Sequence, residues 1–131
     1  MAYSATVTVT GPVISAGRRH WSVTCAETDA AATSEWSFAT GLADGACVSI
    51  VHYVGVLASG TGTTIQPKYG TAAGVAAIDE RAEFAAAAAS VSDASSVSFC
   101  TSDGKVYIRS TADAGTDNTI NTRITFCEGA I

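Results

Sequence analysis

Hydrophobic and polar residues alternate with a period of two along most of the chain. In YSATVTVT, from Tyr3 to Thr10, apolar side chains at odd positions alternate with serine and threonine. Such alternation is typical of a β-strand that buries one of its faces. The same pattern predicts further strands at HWSVTCA (20–26), EWSFA (35–39), TTIQPKY (63–69), VSFCT (97–101), KVYIRS (105–110) and INTRITF (120–126).

Several positions refine this pattern of strands. The stretch from Ala46 to Ala58 is apolar on both faces, which predicts a long central strand. Gly55 within it indicates a bulge or a close approach by another group. Pro67 cannot donate a ladder hydrogen bond, so it places its strand at a sheet edge or lies at the strand's end. The dipeptide at residues 103–104, Asp-Gly, predicts a two-residue hairpin between the strands on either side.

One alanine-rich segment, residues 77–96, breaks the period of two. Asp79, Glu80 and Glu83 would lie in the first turn of a helix, where the macrodipole favours acidic side chains. The alanines at 85–89 add helix propensity. We therefore expect one short helix of about two to three turns, followed by a loop that is rich in serine.

Taken together, these patterns predict one all-β domain over residues 1–131. About eight short strands with glycine-rich turns favour an antiparallel β-sandwich or jelly roll, with the helix and loop inserted at 77–96. A chain of this length buries enough surface to fold without a metal or disulfide. It contains no Gly-x-Ser-x-Gly nucleophile elbow and no recognisable Ser/His/Asp arrangement. We therefore expect that the protein is not an enzyme and has no catalytic residue and no cofactor.

Composition and charge limit the partners. The chain holds 25 alanines, 17 threonines and 14 serines, while charged residues make up only 15% of it, against roughly 25% in typical soluble domains. A surface with so few charges suits close packing, so we expect a homo-oligomer. The net charge of −5 disfavours direct nucleic-acid binding, and Arg18-Arg19, which follow a glycine, are typical of an exposed turn.

The compartment in which the protein is found decides whether its cysteines can form disulfides. The first residues lack the pattern of a signal peptide, which is a basic segment followed by an apolar one, so we expect synthesis and assembly in the cytoplasm. No run of roughly 18 apolar residues occurs, so we expect no membrane span. Cys25, Cys47, Cys100 and Cys127 lack the spacing of zinc ligands. They are either small buried hydrophobes or disulfides that form after release from the cell, and the sequence leaves both open.

The best candidate for a binding site is the cluster in DAGTDN, residues 113–118. Asp113, Asp117 and Asn118 offer oxygen ligands for a weak cation site. A calcium loop needs six or more oxygens in a recognisable order, whereas aspartate, asparagine and glycine also suit an ordinary turn. We favour the turn and keep these three residues as a weak cation candidate. His52, in an apolar strand, is interpreted as a hydrogen-bonded core or interface residue.

Two stretches resemble a known class of protein in composition and texture. GTGTTIQPKYGTAAG (60–74) and DGKVYIRSTADAGTDNTINTRITF (103–126) are similar to β-sandwich proteins that decorate or cement the heads of tailed phages. The resemblance implies a virion structural protein, assembled in the host cytoplasm, that binds the major capsid protein or another virion protein and stabilises the shell. The chain departs from many cement proteins because it lacks their long extended arm, unless residues 1–12 serve as one.

Three other functions compete with capsid decoration. The protein could be a tail, neck or fibre-associated virion protein, present in few copies. It could be a carbohydrate-binding β-sandwich module that uses an exposed Trp21, Trp36 or Tyr69 as a sugar platform. It could be a small enzyme built on Asp113 or Glu83, although a nucleophile and base arrangement is missing.

Overall fold

The computed structural model shows a protein made of antiparallel strands. It describes residues 3–31, 33–62, 65–74, 79–80, 90–94, 96–110 and 117–129. Within these residues there are ten strands: β1 (Ser4–Ser15), β2 (Arg18–Ala30), β3 (Trp36–Ala39), β4 (Cys47–Ser59), β5 (Lys68–Gly70), β6 (Asp79–Glu80), β7 (Ser90–Asp93), β8 (Val97–Cys100), β9 (Lys105–Arg109) and β10 (Asn118–Glu128). In this part of the chain, no helix is long and apolar enough to cross a membrane.

The strands form two sheets that pack as a sandwich. The larger sheet has the order β1-β2-β10-β4, and β7 and β8 pair one after the other with the far edge of β4. The smaller sheet has the order β3-β9-β5-β6. Every pairing is antiparallel. The predicted all-β antiparallel sandwich is confirmed.

Aromatic side chains join the two sheets in the core. Trp21 of β2 stacks on Phe126 of β10 with ring centroids 5.0 Å apart, and Phe38 of β3 approaches the same Phe126 ring at 4.8 Å. Phe38 belongs to the smaller sheet, so this contact spans the sandwich. Most apolar residues in the inward phase of the predicted strands are buried, among them Val23, Cys25, Trp36, Ile65, Tyr69, Val106, Ile108, Ile120 and Ile124. β1 is the exception, because Ala5 and Val7 are only partly buried and Val9 is 41% exposed.

Details of the central strand also follow the sequence. β4 lies between β10 and the β7 and β8 strands, as its two apolar faces predicted. A Cβ atom on Gly55 would lie 2.6 Å from the hydroxyl oxygen of Tyr53, so the expected close approach is made by a side chain of the same strand. Pro67 directly precedes β5, which pairs on one side with β9 and on the other with β6. It therefore lies at a strand end.

The predicted hairpin at Asp103-Gly104 is wrong. β8 pairs with β4 in the larger sheet, whereas β9 pairs with β3 and β5 in the smaller one. The chain bends at these residues, with φ of 74° at Gly104, and the Gly104 carbonyl accepts hydrogen bonds from the backbone nitrogen and hydroxyl of Thr40. The dipeptide favours a bend in the chain, but burial of each strand's apolar face decides which neighbours the strands take.

The predicted helix is contradicted at both ends of its segment. Asp79 and Glu80 form β6 and pair with Tyr69 and Lys68, so they do not occupy the first turn of a helix. Ser90–Asp93 form β7 on the edge of β4. Helix propensity is a weak preference that ladder pairing overrides here. The remainder of that prediction, with Glu83, falls on residues 81–89, which lie outside the described residues.

Both interpretations of the cysteines apply, to different pairs. Cys47 and Cys100 lie directly opposite each other in the β4–β8 register and form a disulfide. Cys25 and Cys127 are buried thiols. Burial, with a further contribution from the charge of Glu27, raises the pKa of the Cys25 thiol to about 12. Cys25 therefore stays a protonated, unreactive side chain at neutral pH.

Removing the disulfide tests how much it stabilises the fold. Because it closes a loop between residues 53 apart, we expect the double variant Cys47→Ser with Cys100→Ser to lose roughly 2–4 kcal/mol of unfolding free energy. Urea denaturation followed by tryptophan fluorescence measures this loss. Reductant should destabilise the wild type to the same extent and leave the variant unchanged. Equal stability of variant and oxidised wild type would contradict the prediction.

Candidate functional site

The predicted cation cluster lies where β2 and β10 slip in register. Asp117 lines a surface depression of about 310 Å³ together with Thr28, Asp29 and Thr119. Asp29 and Asp117 both have left-handed backbones, with φ of 57° and 54°. In the described part of the chain, no three His, Cys, Asp or Glu side chains lie close enough to hold a metal. Asp113 lies outside the described residues, so the cation site stays a prediction.

Asn118, the third member of that cluster, is buried and cross-links two backbone segments. Its Oδ1 accepts a hydrogen bond of 2.9 Å from the backbone nitrogen of Gly62, and its Nδ2 donates one of 3.0 Å to the carbonyl of Ala30. A Cβ on Gly60 would collide with this amide. The side chain therefore holds the loop after β4 against the end of β2, and it points inward, away from solvent.

Substitution of Asn118 distinguishes its role as a structural cross-link from the predicted role as a cation ligand. We expect Asn118→Asp to lower the free energy of unfolding by roughly 1–3 kcal/mol, because the amide donor is lost and a carboxylate faces the Ala30 carbonyl. Asp117→Asn, at the exposed neighbouring position, is the matched control and should cost little. Thermal unfolding with and without calcium is the measurement. Rescue of Asn118→Asp by calcium would instead support a cation site.

The sandwich contains a buried carboxyl that was not among the predicted site residues. Glu27 of β2 has no solvent exposure. The hydroxyl of Tyr3 donates to its Oε2 at 2.8 Å, and the hydroxyl of Ser110 donates to its Oε1 at 2.6 Å. The alternation of β2 contains the signal, since Glu27 follows Trp21, Val23 and Cys25 in the same phase.

Further polar groups surround this carboxyl inside the sandwich. The indole nitrogen of Trp36 faces Glu27 but does not reach hydrogen-bond geometry. The Tyr53 hydroxyl faces those of Thr122 and Ser110 and is likewise unpaired within the described residues. Burial is the main cause that raises the pKa of Tyr53, and burial with the charge of Glu27 raises that of Tyr3. A partly satisfied polar network of this kind costs stability in a low dielectric.

The Glu27 carboxyl is therefore pushed towards its neutral form. Burial raises its pKa, while the hydrogen bonds from Ser110 and Tyr3 act in the opposite direction without cancelling the effect. A raised pKa in a cleft suggests an acid catalyst, but a side chain without exposure cannot contact a substrate. The arrangement instead couples the stability of the fold to pH.

Glu27→Gln tests this coupling. A carboxyl whose folded pKa is raised stabilises the fold below its unfolded pKa of about 4.3 and loses that contribution as pH rises through the folded pKa. Because glutamine stays neutral, we expect the variant to gain stability relative to the wild type between pH 4 and pH 8. Urea denaturation across this range measures the difference.

Glu128→Gln is the control with the opposite sign. The hydrogen bond from Arg19 lowers the pKa of the partly exposed Glu128, and the Arg19 Nη2 lies 2.8 Å from its Oε2. Its contribution is present above the unfolded pKa and is lost as pH falls. The Glu128 variant should therefore lose most at neutral pH. A Glu27→Gln variant whose stability differs from that of the wild type by the same amount at pH 4 and pH 8 would show that the pKa of Glu27 is not raised in the fold.

The aromatic residues considered for glycan binding are not at the surface. Trp21 is 6% exposed, Trp36 4% and Tyr69 1%. A sugar platform needs the open face of an aromatic ring, so none of these three side chains supplies one. His52, by contrast, is partly accessible, and its Nε2 lies 2.9 Å from the Ser92 hydroxyl across the β4–β7 pair. This agrees with the predicted hydrogen-bonded histidine.

The exposed apolar side chains of the described chain are concentrated on β1. Val9, Val13 and Ile14 are 41%, 67% and 75% exposed, and they are the large hydrophobic residues found at the surface of this part of the protein. β1 carries no charged residue along its 12 positions. It turns into β2 through Ala16-Gly17, both with positive φ, which matches a tight type I′ hairpin. Uncharged, apolar and exposed, this strand is the candidate interaction surface.

Comparison with known proteins shows only distant structural similarity. No protein-family model and no curated protein sequence matches the chain. A solved structure described as "Bacillus endospore appendages form a novel family of disulfide-linked pili" matches with 15% identity and a TM-score of 0.42, over 98% of this chain and 92% of that one. Another, described as "CBM4 structure and function", matches with 15% identity and a TM-score of 0.38, over 94% and 78%. Similarity at this level assigns no function to this chain.

Proposed function

We propose that the protein is a non-enzymatic structural protein of a phage virion that binds the capsid in many copies as a decoration or cement protein. The observation that carries the proposal is the concentration of exposed apolar side chains, Val9, Val13 and Ile14, on the uncharged strand β1. An exposed patch of this kind suits contact with another protein more than binding of a small substrate.

The interior of the sandwich supports a structural role. Aromatic stacking through Phe126 fills the core between the sheets, and the disulfide between Cys47 and Cys100 fixes the edge strand β8 to β4. The buried carboxyl of Glu27 is out of reach of a substrate. The aromatic cluster and the Glu27 carboxyl are therefore inside the protein, where they affect the stability of the fold.

We place assembly in the host cytoplasm and the mature protein in the virion. Cytoplasmic thiols stay reduced, so the bond between Cys47 and Cys100 would close once particles leave the cell. The net charge of −5 keeps the protein away from packaged DNA and favours a basic patch on the capsid protein. Many modest contacts on one closed shell add up through multivalency.

Density-gradient fractionation of the native source tests the proposal. Quantitative mass spectrometry of each fraction should find the protein banding with particles at a copy number close to that of the capsid protein. Particles that lack the protein should then break open at lower temperature. A few copies per particle would favour a tail, neck or fibre position instead, and a protein that stays at the top of the gradient would overturn a virion role.

A further inference from the structure

We propose that the segment Ser4–Thr10 of β1 pairs with the same segment of a second copy, antiparallel and across a two-fold axis, to form a dimer. The inference rests on the proposed function in one respect, since it names a partner for the exposed strand on which that proposal depends. It stands on three observations: the free edge of β1, its lack of charge and the shortness of the other edges.

The outer edge of β1 is open. β1 is the last strand of the larger sheet, and in the part of the chain that the structure describes no strand pairs with its outer side. Every second residue of such an edge presents a backbone N–H and C=O that have no ladder partner. Proteins usually protect long edges with lysine or other charges, but the segment reads SATVTVT. Its regular pairing with β2 runs unbroken from Ser4 to Thr10.

The other described edges cannot take a strand of this length. β7 and β8 have four residues each and are separated by residues 94–96, while β3 has four and β6 two. Short and interrupted edges are the usual protection against pairing. A strand that pairs with β1 over seven residues must itself be at least seven residues long and have a free edge. Within the described chain, β1 itself is the strand that has these properties.

The two faces of β1 are compatible with self-pairing. Ala5 and Val7 pack against the core, whereas Thr6 and Thr8 are exposed on the outer face. Residues directly opposite in a ladder share a face, so inward positions meet inward positions only when the sum of the paired numbers is even. Centring the regular segment on Val7 satisfies this condition. Thr6 then lies opposite Thr8 of the second copy, and Ala5 lies opposite its Val9.

This register brings the two larger sheets together as one continuous sheet with both sandwiches on the same side. Hydrogen bonds between backbone groups supply the pairing, and threonine–threonine contacts on the outer face add to it. The interface is isologous, so it closes at two copies and does not extend into a filament. The apolar side chains of Val13 and Ile14 lie beyond the paired segment and stay available for the capsid protein.

Sedimentation equilibrium of the purified protein, over a dilution series and in the absence of particles, tests the dimer. The wild type should sediment as a dimer. In the double variant Thr6→Lys with Thr8→Lys, two pairs of like charges would face each other, so we expect the dissociation constant to rise by about tenfold. The matched control is Thr24→Lys with Ala26→Lys, the exposed cross-strand neighbours of the same positions on β2. The control should remain a dimer.

Cysteine cross-linking checks the register independently of these variants. Thr6→Cys and Thr8→Cys proteins, mixed under oxidising conditions, should give a dimer on a non-reducing gel, at a several-fold higher yield than either variant alone. A wild type that is monomeric throughout, equal dissociation by the β1 and β2 lysine variants, or a mixture that cross-links no better than its components would overturn the proposal.

The outcome is separable from that of the gradient experiment. Particle-bound protein with a monomeric wild type would keep the virion role and remove the β1 dimer. A dimer that never bands with particles would keep the strand pairing and remove the virion role.

Discussion

The pairing of β10 with both of its neighbours is the constraint on which the rest of the structure depends. This strand, Asn118–Glu128, is bonded to β2 on one side and to β4 on the other along nearly its whole length. Its inward side chains carry the contact with the smaller sheet through Phe126. Both ends are also fixed, by the Asn118 amide at one end and by Gly129 at the other, whose nitrogen donates to the Cys47 carbonyl.

Period-two alternation was enough to predict the sandwich because nearly every strand buries one face. Trp21, Phe38 and Ile124 each lie where the phase of their strand placed them. The pairing partners of the strands were harder to predict. A local sequence such as Asp103-Gly104 favours a bend but does not determine which sheet the next strand joins. The helix predicted in the alanine-rich segment was wrong for a related reason. Local helix propensity competes with strand pairing, and the pairing partner is distant in sequence.

The candidate site was less predictable than the fold. Asn118 was singled out for its oxygen, but its role depends on Gly62 and Ala30, which are far from it in sequence. The burial of Glu27 was not predicted, because a glutamate is normally exposed. Its phase in β2 is the sequence feature that indicates an inward side chain. Polar groups whose importance comes from burial and distant partners are visible once the chain is folded. The lack of charge in β1, by contrast, is visible in the sequence, whereas its position at the edge of the larger sheet is seen only in the structure.

The disulfide between Cys47 and Cys100 has a consequence for how the protein withstands proteolysis. It joins the first residue of β4 to the last residue of β8, so the chain between them is a covalently closed loop. A single cut at any peptide bond within that loop leaves the two fragments linked. Both fragments keep strands that pair with the uncut part of the larger sheet, since β4 remains beside β10 and β8 beside β4. One nick in this half of the molecule therefore breaks the chain without releasing any piece of it.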